Sequence, residues 1–335
     1  MKILVNLHAN EEAARTFYTD KVRAKIESLG EVEYGVFTDR DTLRDKLEGV
    51  DVLFCGWGMK VADDELLAKA DKLKLIAYTG GSVADFMTED TVKHGITVCS
   101  GNKFYANSVA EGTIGYILLG QRRIPKMIDL TKEEGWAPQC HTDGIRYKKI
   151  GIIGFGAIAK YLAKMLQAFE CEVMICSDWF KEEMQEEYRA KKCTMEEIFT
   201  ECDIVSLHES LREDTYHLID KHWFGMMKQD ALFVNTARGA IIVEQDLADA
   251  ARAGKIRAVL DVYEKEPLAK DSCLRGIENV ILMPHRGGPT TDIREYVTLA
   301  LCDEVTHFYA GEPLEHEIPW EYAKNMTSHS SVKKK

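Results

Sequence analysis

The sequence predicts an α/β protein that contains two doubly wound parallel sheets. In the first 100 residues, short apolar runs alternate with helical patterns about five times. A strand, a glycine turn, a helix and a second strand follow in residues 149–178, and the alternation then continues to residue 285. Strands that alternate with helices form parallel sheets, because each helix returns the chain to the edge where the next strand begins.

Length and composition narrow the possibilities further. A chain of 335 residues exceeds the size that one hydrophobic core supports, so two domains are expected. The net charge of −12 argues against nucleic acid or an anionic membrane as a partner. Nine scattered cysteines without a C-x-x-C pair favour reduced thiols in the cytoplasm over disulfides or a metal site. No apolar stretch reaches the ~18 residues of a membrane span.

Four local patterns give expectations about individual elements. Residues 11–29 predict a single helix, because their apolar residues fit one helical face. The sequence from Thr194 to Glu197 predicts a capping box at the start of a helix. Residues 132–148 are polar and predict a loop, and the polar, basic residues 327–335 are expected to be disordered.

The segment 149–178 has the pattern of a dinucleotide-binding unit. Gly154 allows a turn too tight for a side chain, and Gly156 lets the backbone approach a pyrophosphate at a helix N-terminus. Asp178 comes 22 residues after Gly156, where a carboxylate accepts from a ribose 2′-hydroxyl and repels a 2′-phosphate. A lone Gly-x-Gly also occurs in ordinary turns, but the flanking strands, the helix and the acid favour NAD.

Polar residues follow apolar runs in the second half of the chain, at the edge where open α/β sheets bind ligands. Arg238 offers a planar guanidinium to a carboxylate. His285 is able to exchange a proton near neutral pH, and a neighbouring carboxylate such as Glu266 would fix its tautomer. Asp261 would accept from the nicotinamide carboxamide. Each residue alone is more often an ordinary surface residue, but together they suit the reduction of a keto acid.

Six stretches of the chain, taken together, resemble the D-isomer-specific 2-hydroxyacid dehydrogenase family, which includes D-lactate, D-glycerate and D-3-phosphoglycerate dehydrogenases. They are residues 107–111 (NSVAE), 151–158 (GIIGFGAI), 203–208 (DIVSLH), 235–239 (NTARG), 260–267 (LDVYEKEP) and 283–285 (MPH). The resemblance implies a Rossmann NAD-binding domain, residues 104–288, inserted into a flavodoxin-like substrate domain, residues 1–103 and 289–335. It also implies a cytoplasmic homodimer.

The resemblance further implies roles for individual residues. The catalytic residues would be Arg238, Glu266 and His285. Contacts to NAD would come from Gly154, Gly156, Ala157, Ile158, Asp178, His208, Ser210, Thr236, Ala237, Arg238, Asp261, His285 and Gly287. Contacts to the substrate would come from Arg238 and from the amides of Gly80, Gly81, Ser82 and Val83, with Trp57 and Met59 near the substrate side chain.

Some positions depart from the family pattern. Ala159 replaces the usual third glycine, Ser210 stands where the family mostly has proline, and the loop 79–83 differs from the common Gly-x-Gly form. Glu266 is not glutamine, which weighs against a formate dehydrogenase. The predicted function is an NADH-linked reductase that converts small 2-keto acids to D-2-hydroxy acids. A non-catalytic NAD(H)-sensing regulator and an NADPH-dependent reductase are the alternatives, and the sequence does not identify the keto acid.

Overall fold

The computed structural model describes residues 1–136 and 141–327, and its strands form two sheets. The first sheet contains Lys2–Asn6 (β1), Glu31–Gly35 (β2), Val52–Cys55 (β3), Leu75–Tyr78 (β4) and Thr97–Ser100 (β5). The second contains Lys149–Ile153 (β6), Glu172–Cys176 (β7), Ala190–Lys192 (β8), Ile204–Leu207 (β9), Ala231–Asn235 (β10), Ile256–Leu260 (β11) and Val280–Leu282 (β12). Neighbouring strands within each sheet are parallel, so the predicted α/β fold class is confirmed.

Helices connect the strands. In chain order, the α-helices of the described residues are Glu11–Phe17 (α1), Asp20–Glu27 (α2), Arg40–Lys46 (α3), Asp64–Leu67 (α4), Glu89–Lys93 (α5), Asn102–Gln121 (α6), Ile124–Glu134 (α7), Ala157–Leu166 (α8), Gln185–Tyr188 (α9), Met195–Glu201 (α10), Lys221–Met226 (α11), Glu244–Arg252 (α12), Arg294–Ala310 (α13) and Trp320–Ala323 (α14). Short 3-10 turns lie at Gln167–Phe169, Glu182–Met184, Gly239–Ile241 and Thr291–Ile293. None of the helices that the structure describes is long and apolar enough to cross a membrane.

The chain divides into two compact units, each with its own sheet. The first unit comprises Met1–Tyr105 and Pro289–Lys335, and the second comprises Ala106–Gly288, so the first boundary lies inside α6. Consecutive residues of the inner strands are fully buried in both units, which means that both faces of each sheet are covered. The sheet orders are β2-β1-β3-β4-β5 and β12-β11-β10-β9-β6-β7-β8. Each order reverses beside its first strand, which marks the edge where such sheets bind ligands.

Two of the local expectations were wrong. The predicted single helix 11–29 is two helices, because the Thr19 hydroxyl accepts a hydrogen bond from the Val22 amide (3.4 Å) and starts α2 anew. The predicted loop 132–148 begins too early, since α7 continues to Glu134 and ends at Gly135 in a left-handed conformation. Residues 137–140 of that segment, and the predicted disordered tail after residue 327, lie outside the described residues.

The predicted capping box at the start of α10 is confirmed. The Thr194 hydroxyl accepts from the Glu197 amide (3.2 Å), and the Glu197 carboxylate accepts from the Thr194 amide (2.8 Å). Both residues therefore satisfy backbone amides that the helix itself leaves unpaired.

We expect Thr194→Ala to lower the free energy of unfolding by about 1 kcal/mol, because one amide of the first turn loses its acceptor. Thr200→Ala is the matched control, since the Thr200 hydroxyl only donates to the Glu196 carbonyl within the same helix. Urea unfolding followed by circular dichroism measures both variants. Equal destabilisation of the two would contradict the role assigned to the cap.

Candidate active site

The glycine turn lies between β6 and α8, where the order of the second sheet reverses. Gly154 has a φ of +91°, and a β-carbon there would lie 2.6 Å from the His208 carbonyl oxygen. Gly156 starts α8 without a side-chain cap, and a β-carbon there would meet no atom within 4 Å. The first turn of α8, beginning at Ala157 and Ile158, therefore offers amide groups suited to an anion such as a pyrophosphate.

Three aromatic residues connect the glycine turn to the segment after β7. The Phe155 ring lies 4.8 Å from the Phe180 ring and 5.0 Å from the Tyr188 ring, measured between centroids. Phe180 follows the exposed Asp178 by two residues, so the cluster packs a residue of that segment against the glycine turn. Sequence analysis missed the cluster, although the aromatic residue between the two glycines was a visible signal.

His208 follows β9 and is held close to the glycine turn. Its Nε2 atom lies 2.8 Å from the Ser206 hydroxyl, and its Nδ1 atom is buried without a hydrogen-bond partner among the described residues. Burial of the ring lowers the pKa of His208 to about 4, so the imidazole is neutral near pH 7. The predicted contact of His208 with NAD stays a prediction.

The hydroxyl-bearing residues predicted to contact NAD already take part in hydrogen bonds of the second unit. The Ser210 carbonyl accepts from the Thr215 hydroxyl (2.7 Å), which holds the loop after β9. The Thr236 hydroxyl lies 3.1 Å from the Thr113 hydroxyl of α6, and Thr236 is 6% exposed. Their predicted contacts to NAD stay predictions.

The turn that contains Arg238 follows β10 and is shaped by Asn235. The Asn235 amide group donates to the Arg238 carbonyl (3.1 Å), and its side-chain oxygen accepts from the Ala237 amide (3.0 Å). The Arg238 guanidinium donates to the Ala237 carbonyl (2.7 Å). A β-carbon on Gly239 would overlap the backbone of Tyr263, so a glycine is needed for this turn to approach the loop after β11.

Glu266 and His285 form the closest pair of the site. The His285 Nδ1 atom lies 2.6 Å from the Glu266 Oε2 atom, and the Glu266 Oε1 atom accepts from the Tyr263 amide (3.0 Å). Because a carboxylate accepts hydrogen bonds, Nδ1 holds a proton in this pair and Nε2 remains for another group. The Tyr263 hydroxyl donates to the Met283 carbonyl (2.7 Å), which ties together the two loops that hold the pair.

The electrostatics of this pair favour an ionised Glu266. Partial burial of the Glu266 carboxylate raises its pKa, but hydrogen bonds from His285 and the Tyr263 amide outweigh that effect. The positive charges of His285 and Arg238 act in the same direction, so the pKa of Glu266 lies below its ordinary value. The charge of Arg238 therefore acts on the same carboxylate that orients His285.

Asp261 follows β11 and is 2% exposed. Its carboxylate accepts hydrogen bonds from the Arg286 amide (2.8 Å), the Gly287 amide (2.7 Å) and the Tyr116 hydroxyl (3.0 Å). The predicted hydrogen bond to a nicotinamide carboxamide would have to use the remaining lone pair of Oδ2. Tyr116 was not among the predicted residues, and its only signal was a polar hydroxyl within a mostly apolar helix.

The loop predicted to bind the substrate carboxylate lies in the first unit, after β4. Gly81 packs against Tyr105, and the Ser82 hydroxyl donates to the Thr327 carbonyl (2.8 Å). Val83 is fully buried in the core, while Gly80 packs on the ring of Tyr78. The role of these residues in substrate binding stays a prediction.

Trp57 and Met59, in the loop after β3, have different surroundings. Trp57 is 44% exposed, and its ring lies 5.2 Å from His8 and 5.5 Å from Phe17, measured between centroids. Met59 is partly buried against the core of the first unit. The proximity of these two residues to the substrate side chain stays a prediction.

The predicted residues thus fall into two groups. The second unit brings together Arg238, Glu266 and His285, and it places Gly154, Gly156, Asp178, His208, Ser210, Thr236, Ala237, Asp261 and Gly287 after its parallel strands. Gly80, Gly81, Ser82 and Val83 belong to the first unit.

Comparison with known proteins identifies the family. The family model described as "D-isomer specific 2-hydroxyacid dehydrogenase, NAD binding domain" matches residues 114–287. The chain is 33% identical over 282 residues to a glyoxylate reductase of Thermococcus litoralis, covering 82% of this chain and 85% of that protein. It is 31% identical over 322 residues to a D-3-phosphoglycerate dehydrogenase of Methanocaldococcus jannaschii. That match covers 95% of this chain, which spans 59% of the length of that dehydrogenase.

Solved structures share the fold. The TT0316 protein of Thermus thermophilus superimposes with a TM-score of 0.76 at 26% identity, covering 95% of this chain and all of that one. The second unit contains the whole matched NAD-binding region, and NAD(H) is the cofactor. The chain therefore belongs to the D-isomer-specific 2-hydroxyacid dehydrogenase family and is an NAD-dependent oxidoreductase.

Proposed function

We propose that the chain reduces a small 2-keto acid to the corresponding D-2-hydroxy acid, with His285 as the proton donor. The observation that carries the proposal is the 2.6 Å contact between His285 Nδ1 and Glu266, which leaves Nε2 for the substrate oxygen. NADH, when bound, would supply the hydride that adds to the keto carbon. The proton from Nε2 completes the hydroxyl group, so the keto acid gains one hydride and one proton in total.

Glu266 supports proton transfer through its charge. A protonated His285 bears a positive charge, and the adjacent carboxylate stabilises that charge before the proton leaves. After transfer, the neutral ring keeps its proton on Nδ1, because Glu266 continues to accept from that atom. The pair therefore holds the same ring orientation in both protonation states.

Arg238 is proposed to bind the substrate carboxylate. A guanidinium matches a carboxylate with two parallel hydrogen bonds, which fixes the orientation of the keto carbon as well as its distance. The proposal is supported by the Asn235 hydrogen bonds that shape the turn and by the action of the Arg238 charge on Glu266. We also propose that the amides of Gly80, Gly81, Ser82 and Val83 contribute to substrate binding.

The identity of the keto acid and the state of the chain in the cell are further proposals. The relatives are named as a glyoxylate reductase and a D-3-phosphoglycerate dehydrogenase, so small 2-keto acids such as glyoxylate, hydroxypyruvate and pyruvate are the first candidates. A homodimer and a cytoplasmic location are proposed from the family resemblance.

A panel of 2-keto acids with NADH, followed at the nicotinamide absorbance, tests the reaction. We expect turnover with at least one acid, and we expect His285→Ala to lower that turnover by ~10² or more while NADH still binds. His217→Ala is the matched control, because His217 forms a second histidine–glutamate pair with Glu264 (3.2 Å) in the same unit. It should retain turnover within about threefold, since no proton transfer is assigned to it.

Two results would contradict this assignment. Near wild-type turnover in the His285→Ala variant would exclude His285 as the proton donor. Binding of NADH without turnover of any acid in a broad panel would instead favour the non-catalytic NAD(H)-sensing regulator.

Arg238→Lys tests the carboxylate contact while keeping the positive charge. Because lysine lacks the planar pair of donors, kcat/KM for the keto acid should fall at least about tenfold, with the dissociation constant of NADH nearly unchanged. Arg275→Lys, an exposed position of the same unit whose guanidinium donates only to backbone carbonyls, is the control. A loss of NADH affinity equal to the loss in kcat/KM would place Arg238 in the cofactor site instead.

Asp178→Ala tests the preference for NADH over NADPH. Removal of the exposed carboxylate takes away its repulsion of a 2′-phosphate, so the ratio of kcat/KM for NADPH to that for NADH should rise about tenfold or more. Glu183→Ala removes an exposed acid five residues further on and should leave the ratio within about twofold. A wild-type chain that prefers NADPH would overturn the role given to Asp178.

A further inference from the structure

One face of α6 lies against the loop that follows His285. Ser108, Gly112 and Tyr116 are spaced four residues apart, so they share one side of the helix. A β-carbon on Gly112 would lie 2.6 Å from the Gly287 carbonyl oxygen. A β-carbon on the next loop residue, Gly288, would lie 2.9 Å from the Ser108 hydroxyl. These distances leave no room for the loop to move toward the helix.

Asp261, which follows β11, accepts hydrogen bonds from the same loop. The Arg286 and Gly287 amides both donate to its carboxylate, at 2.8 and 2.7 Å. A buried carboxylate requires donors in place of the water that it has lost, so these amides are held firmly. The two residues directly after His285 are therefore fixed by one acid.

Tyr116 connects this acid to α6. Its hydroxyl donates to Asp261 Oδ1 at 3.0 Å, and Tyr116 is 8% exposed. Burial and the neighbouring Asp261 carboxylate raise the pKa of Tyr116 well above its ordinary value, so the hydroxyl stays protonated and remains a donor. Two of the three donors to Asp261 are backbone amides, which a side-chain substitution does not remove. The third is the Tyr116 hydroxyl, which a substitution does remove.

His285 needs such support because of its own backbone. Its φ of +53° lies in the left-handed region, which is unfavourable for a residue with a β-carbon. Glu266 fixes the ring at Nδ1 but does not fix the backbone that follows it. The contacts of Asp261, Gly112 and Tyr116 act on that backbone.

We propose that Tyr116 is a positioning residue, which acts through Asp261 to hold His285 in the orientation required for proton transfer. This inference rests on the proposed function, in which His285 Nε2 gives its proton to the substrate oxygen. Proton transfer is sensitive to small displacements, since a shift of about 1 Å costs up to ~10² in rate. A loosened loop should therefore lower kcat more than it weakens the binding of NADH or keto acid.

The first test compares Tyr116→Phe with the wild-type chain. Phenylalanine keeps the ring and removes only the hydroxyl, so we expect kcat to fall about tenfold, with KM for NADH and for the keto acid changed less than about threefold. Gly112→Ala is an independent variant, because it pushes on the Gly287 carbonyl and keeps the Tyr116 hydroxyl. It should give the same split between kcat and KM.

Gly115→Ala is the matched control for Gly112→Ala. It makes the same substitution one helical turn along α6, where an added β-carbon meets no described atom within 4 Å outside the backbone of the helix itself. Its kcat should equal that of the wild-type chain. If Tyr116→Phe and Gly112→Ala also keep the wild-type kcat, the proposal is wrong. It is equally wrong if Tyr116→Phe loses NADH affinity and thermal stability in step with kcat, because Tyr116 would then support the fold in general.

The second test does not depend on turnover. The imidazole signals of the chain with ¹³C,¹⁵N-labelled histidine are recorded by NMR, and the signal of His285 is assigned by its absence in His285→Gln. Tyr116→Phe and Gly112→Ala should shift or broaden this signal, whereas Gly115→Ala should not. An unchanged His285 signal in both variants overturns the positioning role. If the wild-type chain reduces no keto acid, the proposed function fails, while this measurement still decides whether α6 orients His285.

Discussion

Parallel pairing in the second sheet is the constraint on which the candidate active site depends. The register aligns Ile153 with Leu207, Leu207 with Asn235, Asn235 with Leu260 and Leu260 with Leu282, so these strands end at one level. The backbone hydrogen bonds continue one residue further. The amides of His208, Asp261 and Met283 donate to the carbonyls of Ile153, Asn235 and Leu260, respectively. Backbone pairing alone thus places residues that are far apart along the chain at one edge of the sheet.

Much of this framework was predictable because buried parallel strands leave a simple mark in the sequence. β9, β10 and β11 are short apolar runs bounded by polar residues, and their ends in the structure agree with the polar residues that follow. The apolar spacing did contain a sign of the break between α1 and α2: Phe17 and Val22 are both buried, but residues five apart lie about 140° from each other on a continuous helix. The Thr19 hydroxyl accepts a hydrogen bond from the Val22 amide, and this cap fixes where the second helix begins.

In the candidate site, too, the positions of some residues were predictable, but their contacts were not. Strand ends identified Arg238, Asp261 and His285, because parallel topology alone brings such residues together. The family resemblance named Glu266 as the partner of His285, whereas spacing alone does not separate it from Glu264, since two histidine–glutamate pairs form from the same loop. Nor did it reveal Tyr116, whose contact with Asp261 joins residues 145 positions apart and depends on how closely α6 packs. Contacts of that kind follow from packing, which spacing along the chain does not encode.

The net charge of the chain also determines which interactions are available to bind an anion. A net charge of −12 repels the pyrophosphate and the carboxylate that the proposed reaction brings to the second unit. In the proposed function, binding relies on short-range donors, namely the amides at the start of α8 and the guanidinium of Arg238. Such donors lose their value within a fraction of an ångström, whereas a broad positive surface tolerates displacement. The glycines at 154 and 239 let the backbone approach its neighbours, so the proposed function depends on these two close approaches as well as on the charged groups.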